Sequence, residues 1–327
     1  MPTIQTANGT ISEKDLGRVL IHEHVFLMDM EYTFNYRPDF LSPKTIDDAV
    51  SRLDDLKAAG FDTIIDLTVL GLGRHMPSIA KVAVRTGINI IVSTGAYTFD
   101  AVPAPFQYWG PGLLHDTGVE PMVGHFVADI VEGIADTGIR AGMLKCAIDA
   151  PGLTGGVERI MRAVGRTHVL TGAPVTVHTS AKHETGLIAQ KVLSEEGVDL
   201  ENVVIGHCGD TTDIDYLMRI ADRGSMLGMD RFGVEFEISM EQRVATIAEM
   251  VSRGYASQMV LSHDCCCWSD FFPEVDDYNQ AMPRHHYLHI HDDVLPALRN
   301  AGVSQLDIER MLIANPRRVL VKERVPH

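Results

Sequence analysis

Along the chain, short runs that are apolar throughout alternate with longer stretches in which apolar residues recur every three or four positions. The stretch before Gly60 is typical of the second kind: Ile46, Ala49, Val50, Leu53 and Leu56 share one face, with Asp47, Asp48, Arg52 and Asp55 off it. That spacing predicts a helix with one buried stripe. Each such stretch ends near a glycine that is followed by an apolar, β-branched run, as in AAG60-FDTIIDLT, RTG87-INIIVSTG, DTG138-IRAGMLKCA, LTG172-APVTVHT, EEG197-VDLENVVIGH, DRG224-SMLGMD and SRG254-YASQMVLSHD. Glycine after a helix is the expected left-handed cap, and runs without polar alternation fit parallel strands covered on both faces. With RVLIHEHV near the start there are eight strands, and TIQTANGTI at residues 3–11 predicts a short hairpin around Asn8-Gly9. Eight strands alternating with helices predict a (β/α)8 barrel with a leading β-hairpin, an α/β fold. No linker or shift of composition divides the chain, so residues 1–327 read as one domain.

Composition narrows the partners. The 327 residues carry a formal charge of −16, whereas nucleic acid or an anionic membrane surface calls for a basic footprint. The first fifteen residues lack the basic and apolar regions of a secretory signal, and no 18-residue apolar run suggests a membrane span. Five cysteines, three of them adjacent at 265–267, make a poor disulfide framework. They suit a reducing cytoplasm and read as packing residues rather than a zinc site. Gly71-Leu72-Gly73-Arg74 lacks the third glycine of a dinucleotide fingerprint.

The strands do contain ionisable residues, which such runs rarely hold without partners. In a barrel of this kind, chemistry sits at the C-terminal strand ends. His22 and His24 end strand one, two apart and therefore on one side, with Glu23 on the other. Lys145 ends strand four, His178 strand five, His207 strand six and Asp264 strand eight, while His263 is read as pointing towards the helices. Any one of these has a bland explanation, as a hydrogen-bonded core histidine, a snorkelling lysine or a helix cap. Six at one rim predict a metal site. Imidazole and carboxylate suit zinc, cobalt, iron or manganese without choosing among them. A buried lysine of lowered pKa can add carbon dioxide, and the resulting carbamate has two oxygens with which to bridge ions. The expected partition is His22, His24 and Asp264 on one ion, His178 and His207 on the other, and carboxylated Lys145 between.

This constellation resembles the amidohydrolase superfamily. LGRVLIHEHV, DLTVLGLGR, LKCAID, VHT, VVIGHCGD, LGMDRFG, VLSHD and NPRRVL, in that order over residues 9–322, look like the phosphotriesterase-like lactonases. Arg231 in Asp230-Arg231-Phe232-Gly233, Tyr97 in STGAYTF and the short stretch from Gly233 to Glu241 are similar to the lactonase branch. Family membership implies two divalent ions bridged by the modified Lys145 and a hydroxide, with attack on a lactone carbonyl. Tyr97 and Arg231 would hold the substrate, Asp264 would shuttle the proton, and Asp210 would relay it or orient a ligand. The resemblance further implies a cytoplasmic homodimer acting on N-acyl homoserine lactones in quorum quenching, with weak phosphotriesterase activity. It makes the loop CCCWSDFFPEVDDYNQAMP an apolar channel for the acyl chain, with Trp268, Phe271 and Phe272 as lining or as plain packing. The competing readings are a phosphotriesterase or other ester hydrolase, a Schiff-base aldolase using Lys145, and a non-catalytic binding module.

Overall fold

A computed structural model describes residues 3–272 and 275–321. Strands Thr3–Thr6 and Gly9–Ser12 form the hairpin, Thr6 opposite Gly9. Its turn is closed by the Thr6 hydroxyl, which donates to Gly9 O and accepts from Asn8 N. The barrel strands follow in sequence order as β1 (Val19–Leu27), β2 (Thr63–Asp66), β3 (Asn89–Gly95), β4 (Met143–Ala147), β5 (Val175–His178), β6 (Val203–Ile205), β7 (Met226–Met229) and β8 (Met259–Leu261). Each pairs in parallel with the next. A ninth short strand, β9 (Cys266–Ser269), pairs in parallel with β1 and closes the seam. This is the expected (β/α)8 barrel.

The helices wrap it as their periodicity predicts. Helix Pro43–Ala58 buries Ile46, Ala49, Val50, Leu53 and Leu56 and is capped by the Ser42 hydroxyl. Six of the seven cap glycines, at 60, 138, 172, 197, 224 and 254, have positive φ. Gly87 does not. There the Asp54 carboxylate accepts from Gly87 N and the Thr86 hydroxyl, so a side chain secures the turn that a left-handed glycine secures elsewhere. Gly71 and Gly73 serve close packing: a Cβ would meet Tyr97 O at 2.3 Å in the first case and Met28 O at 2.2 Å in the second.

The core has two parts. The larger lies between sheet and helices. The smaller fills the barrel's N-terminal end with Ile4, Leu16, Val19, Ile21, Ile65, Leu67, Ile91, Met143, Val204, Met226, Val260, Val319 and Leu320. Ile21 belongs to this interior, yet by strict alternation it would share a face with Glu23 rather than with His22. The register between β1 and β2 shifts between Leu20 and Glu23, and this irregularity lets Ile21 and the next residue, His22, both face the interior. Bulges of this kind re-aim side chains beside functional sites. The backbone N–H of His22 is satisfied by the Ser262 hydroxyl at 2.9 Å. Among the described residues, no helix is long and apolar enough to cross a membrane.

Candidate metal centre

Above the apolar floor, the strand ends converge on one buried polar cluster. Lys145 Nζ lies 2.7 Å from His22 Nε2, and His207 Nε2 lies 2.7 Å from His178 Nδ1. One Asp264 oxygen is 3.3 Å from His22 Nε2 and 3.2 Å from His24 Nε2, and the other is 3.8 Å from His207 Nε2. All six residues expected at the rim from their sequence positions are therefore brought together. The histidines and the lysine are at most 4% exposed.

Two of the six reach the cluster by strained backbone. β6 ends at Ile205 and β8 at Leu261, so alternation along a strand does not aim His207 or Asp264. Both sit in the left-handed region, at φ 63° and 58°. Such conformations cost on the order of 1–3 kcal/mol for a residue with a side chain, and they gather at functional sites.

The outward face of each imidazole is anchored. His22 Nδ1 donates to Asp230 Oδ2 at 2.7 Å, and His207 Nδ1 to Asp230 Oδ1 at 3.0 Å. His178 Nε2 donates to Asp149 at 2.7 Å. His24 Nδ1 meets the Thr68 hydroxyl at 2.8 Å; that hydroxyl donates to Asp66 at 2.6 Å, so its one proton is committed and His24 must donate to it. With each ring proton held outside by a carboxylate or hydroxyl, the inward nitrogens carry lone pairs. His207 Nε2 and His178 Nδ1 then present two lone pairs to one another at contact distance, an arrangement that repels unless a cation accepts both. The donor set thus fits a metal centre, and outer-sphere anchoring of this sort is what metal-binding histidines require.

The electrostatics agree. Burial pushes His22 down, with Lys145 adding to the effect. Burial also takes His178 to about 4 and His207 well below its ordinary value, so all three stay neutral and able to ligate at pH 7. Lys145 is lowered to about 8, again by burial, although Asp264 and Asp230 pull it up. Burial would raise Asp264, but its surroundings outweigh that, the permanent charge of Arg231 and its Nε–H bond among them, and keep the carboxylate ionised.

Tyr97 and Arg231 flank the cluster. The Tyr97 ring stands edge-on to His178 with centroids 5.2 Å apart, and Lys145 Nζ is 6.0 Å from its centre. Burial, with Asp264 nearby, raises its phenol well above the usual range, so it is a hydrogen-bond donor. Arg231 donates from Nε to Asp264 at 3.2 Å and from Nη1 to Asp210 at 2.9 Å. Asp210 also accepts from Arg243 at 2.6 Å. Arginine has no lone pair to receive a proton, so Asp264, Arg231, Asp210 and Arg243 form a chain of alternating charge.

Sequence reasoning assigned no role to several residues of this site. Asp230, Asp149 and Thr68 follow strands and Asp66 ends one, and their position at the same rim was the available signal. Phe99, 5.2 Å from His178 and 5.0 Å from Tyr97 between ring centres, extends the aromatic wall. Glu23 and His263 do point away from the cluster. Glu23 accepts from Ser262, from both nitrogens His263 offers and from Cys265 N, while His263 Nε2 accepts from Ile290 N. These bonds tie β1 to the segment after β8, and Ile290 N occupies the remaining ring nitrogen of His263. The cysteines are free and buried. In the loop after β8, Trp268 packs edge-on against Phe40 and Phe272 against Tyr278, while Phe271 is exposed. Asp270 accepts from Asp29 N and the Thr33 hydroxyl, and Arg37 donates to Phe272 O, clipping this loop to the helix after β1. Pro273 and Glu274 of the expected channel lie outside the described residues.

Comparison with known proteins agrees with this geometry. A "Phosphotriesterase homology protein" of Mycobacterium tuberculosis is 52% identical over 324 residues, covering 99% of each chain. An "Aryldialkylphosphatase" of Saccharolobus solfataricus is 34% identical over 310 residues, 94% of this chain and 96% of the relative. The solved structure described as the phosphotriesterase from Mycobacterium tuberculosis superposes with a TM-score of 0.96 at 52% identity over the whole of both chains. The model of the phosphotriesterase family matches residues 2–320, and the chain belongs to that family of hydrolases.

Proposed function

We propose that the protein opens lactones by hydrolysis, N-acyl homoserine lactones foremost, with phosphotriesters as weak secondary substrates. The observation that carries this is the convergence of inward imidazole lone pairs, Lys145 and Asp264 beneath a half-buried aromatic wall. His22, His24 and Asp264 would hold one divalent ion and His178 and His207 a second, with Lys145 carboxylated between them. Zinc is the first choice, and cobalt, iron and manganese suit the same donors. Such ions supply a water whose pKa is lowered from 15.7 towards about 7 and polarise the oxygen under attack.

The chain's own groups do the rest. Asp264 takes the proton of the attacking water and returns it to the leaving alkoxide, so lactone plus water gives a hydroxy acid; such transfer contributes roughly 10²–10⁴ in rate. Arg231 keeps Asp264 ionised and cannot take that proton from it. Asp210, neutralised by two arginines, holds Arg231 in place rather than relaying. The Tyr97 hydroxyl donates to the carbonyl oxygen as charge develops on it.

The homodimer is part of the same reading. Val119, Val123, Val169 and Leu170 line an open apolar groove of about 670 Å³, a surface of the kind that subunits cover. Elemental analysis alongside kcat/KM for lactones of increasing acyl length and for paraoxon tests the function. We expect two ions per chain, loss of hydrolysis with chelator, and lactone values at least tenfold above paraoxon. The reverse order would make the protein a phosphotriesterase.

A further inference from the structure

We propose that Asp230 is a shared positioning residue that sets the ring tautomer of one histidine in each half of the metal centre, tying the retention of both ions to a single carboxylate. The proposal rests on the dinuclear reading above and goes beyond it by linking the two subsites.

Asp230 is fully buried one residue past β7. Its Oδ2 receives His22 Nδ1–H at 2.7 Å. Its Oδ1 receives both the backbone N–H of His207 at 2.7 Å and the ring Nδ1–H of the same residue at 3.0 Å. Space for it is made by two glycines: a Cβ on Gly228 would lie 2.7 Å from Asp230 Oδ2, and one on Gly206 would lie 3.2 Å from the same atom. Any other residue at Gly228 would push the carboxylate aside. The rings of His22 and His207 are stacked, with centroids 5.0 Å apart and planes at 27°, so the carboxylate spans the outer edges of a pair. The other ligands lack a shared support: His24 is held by Thr68 and His178 by Asp149, one anchor to one ring.

Three N–H groups need acceptors on Asp230, and both oxygens are used. Asparagine keeps one oxygen. The backbone N–H of His207 cannot change its role, so the oxygen stays on that side and the amide NH2 faces His22. To meet a donor, His22 must turn a lone pair outward and carry its proton on Nε2, where it can no longer ligate. Asp230→Asn therefore removes the His22 subsite and spares the other, whereas Asp230→Ala loosens both. Asp149→Asn differs, because Asp149 serves one ring and is 28% exposed: its second oxygen accepts only from the exposed Ala150 N–H, which water can satisfy when the amide oxygen faces His178.

The test loads the full chain with zinc and measures zinc per chain and release to a chelator for wild type, Asp230→Asn, Asp230→Ala and Asp149→Asn. Expected are two ions for wild type and Asp149→Asn, about one for Asp230→Asn, and faster loss of both from Asp230→Ala. Losing an outer-sphere partner typically costs about 10–100-fold in affinity. Imidazole ¹⁵N spectra of zinc-loaded wild type should place the protons of His22 and His207 on Nδ1, a readout that does not need the variants to fold. Two ions held by Asp230→Asn with wild-type release overturns the proposal while leaving the dinuclear reading intact, whereas an Nε2 proton on either ring in wild type takes that ring off the ion and overturns both. Absence of zinc from wild type removes both.

Discussion

The two ends of one barrel follow opposite rules. At the floor, interior positions are Val19, Ile21, Ile65, Ile91, Met143, Val204, Met226 and Val260, buried and free of polar atoms. At the rim, only a pleat or two along the same strands, they become Lys145 above Met143, His178 above Thr176 and Asp230 above Gly228. Burial stabilises the floor by roughly 25 cal/mol per Å² of apolar surface. It destabilises the rim, because each ionisable group there gives up water, and two of them also hold left-handed backbone. The lesson is that the floor supports the rim: one end supplies folding free energy that the other draws on for chemistry.

Substitutions should separate the two ends. Lys145→Ala is expected to have the largest effect, with metal and hydrolysis lost together but the fold retained; elemental analysis and circular dichroism check this, and short carboxylic acids should restore part of the activity. Asp264→Asn should lower kcat by about 10²–10⁴, with thermal stability little changed; near-normal kcat would take this residue out of proton transfer. Ile65→Ala, at the floor, should do the reverse, costing about 2–5 kcal/mol of stability while the folded fraction keeps its kcat, as denaturant titration with activity assays would show. Arg231→His should have the smallest effect, shifting the ratio of phosphotriester to lactone kcat/KM by about tenfold, or 1.4 kcal/mol. An unchanged ratio would show that this position does not set substrate preference.

The contrast also explains what could be read from the sequence. Periodicity reports which faces are buried, so the helix at 43–58, the hairpin at Asn8-Gly9 and the strands from VLIHEHV to MVL were legible. The six cluster residues were legible because lysine, histidine and aspartate stand out at the ends of apolar strands. Alternation placed His22 and His24 on one face, but it gave no hint of the register shift that turns Ile21 inward beside them. Nor did it show that Asp264 leaves its strand and is aimed by a positive φ. The anchors were hidden for a different reason. Asp230 is 208 residues from His22 and Thr68 is 44 from His24; an aspartate after a strand looks the same whether it caps a helix or receives an imidazole proton.

The barrel's seam has a consequence for how the molecule is made. His22 donates to Ser262 across 240 residues of sequence, Asp264 N donates to His22 O, and His24 N to Cys265 O. The bonds that join the first strand to the last also place the proton acceptor beside the ligands. Loop closure over such a length carries an entropic cost that must be met before these contacts form. A refolding chain should therefore regain its helical signal first and its grip on metal last, so that incompletely zipped barrels are catalytically silent.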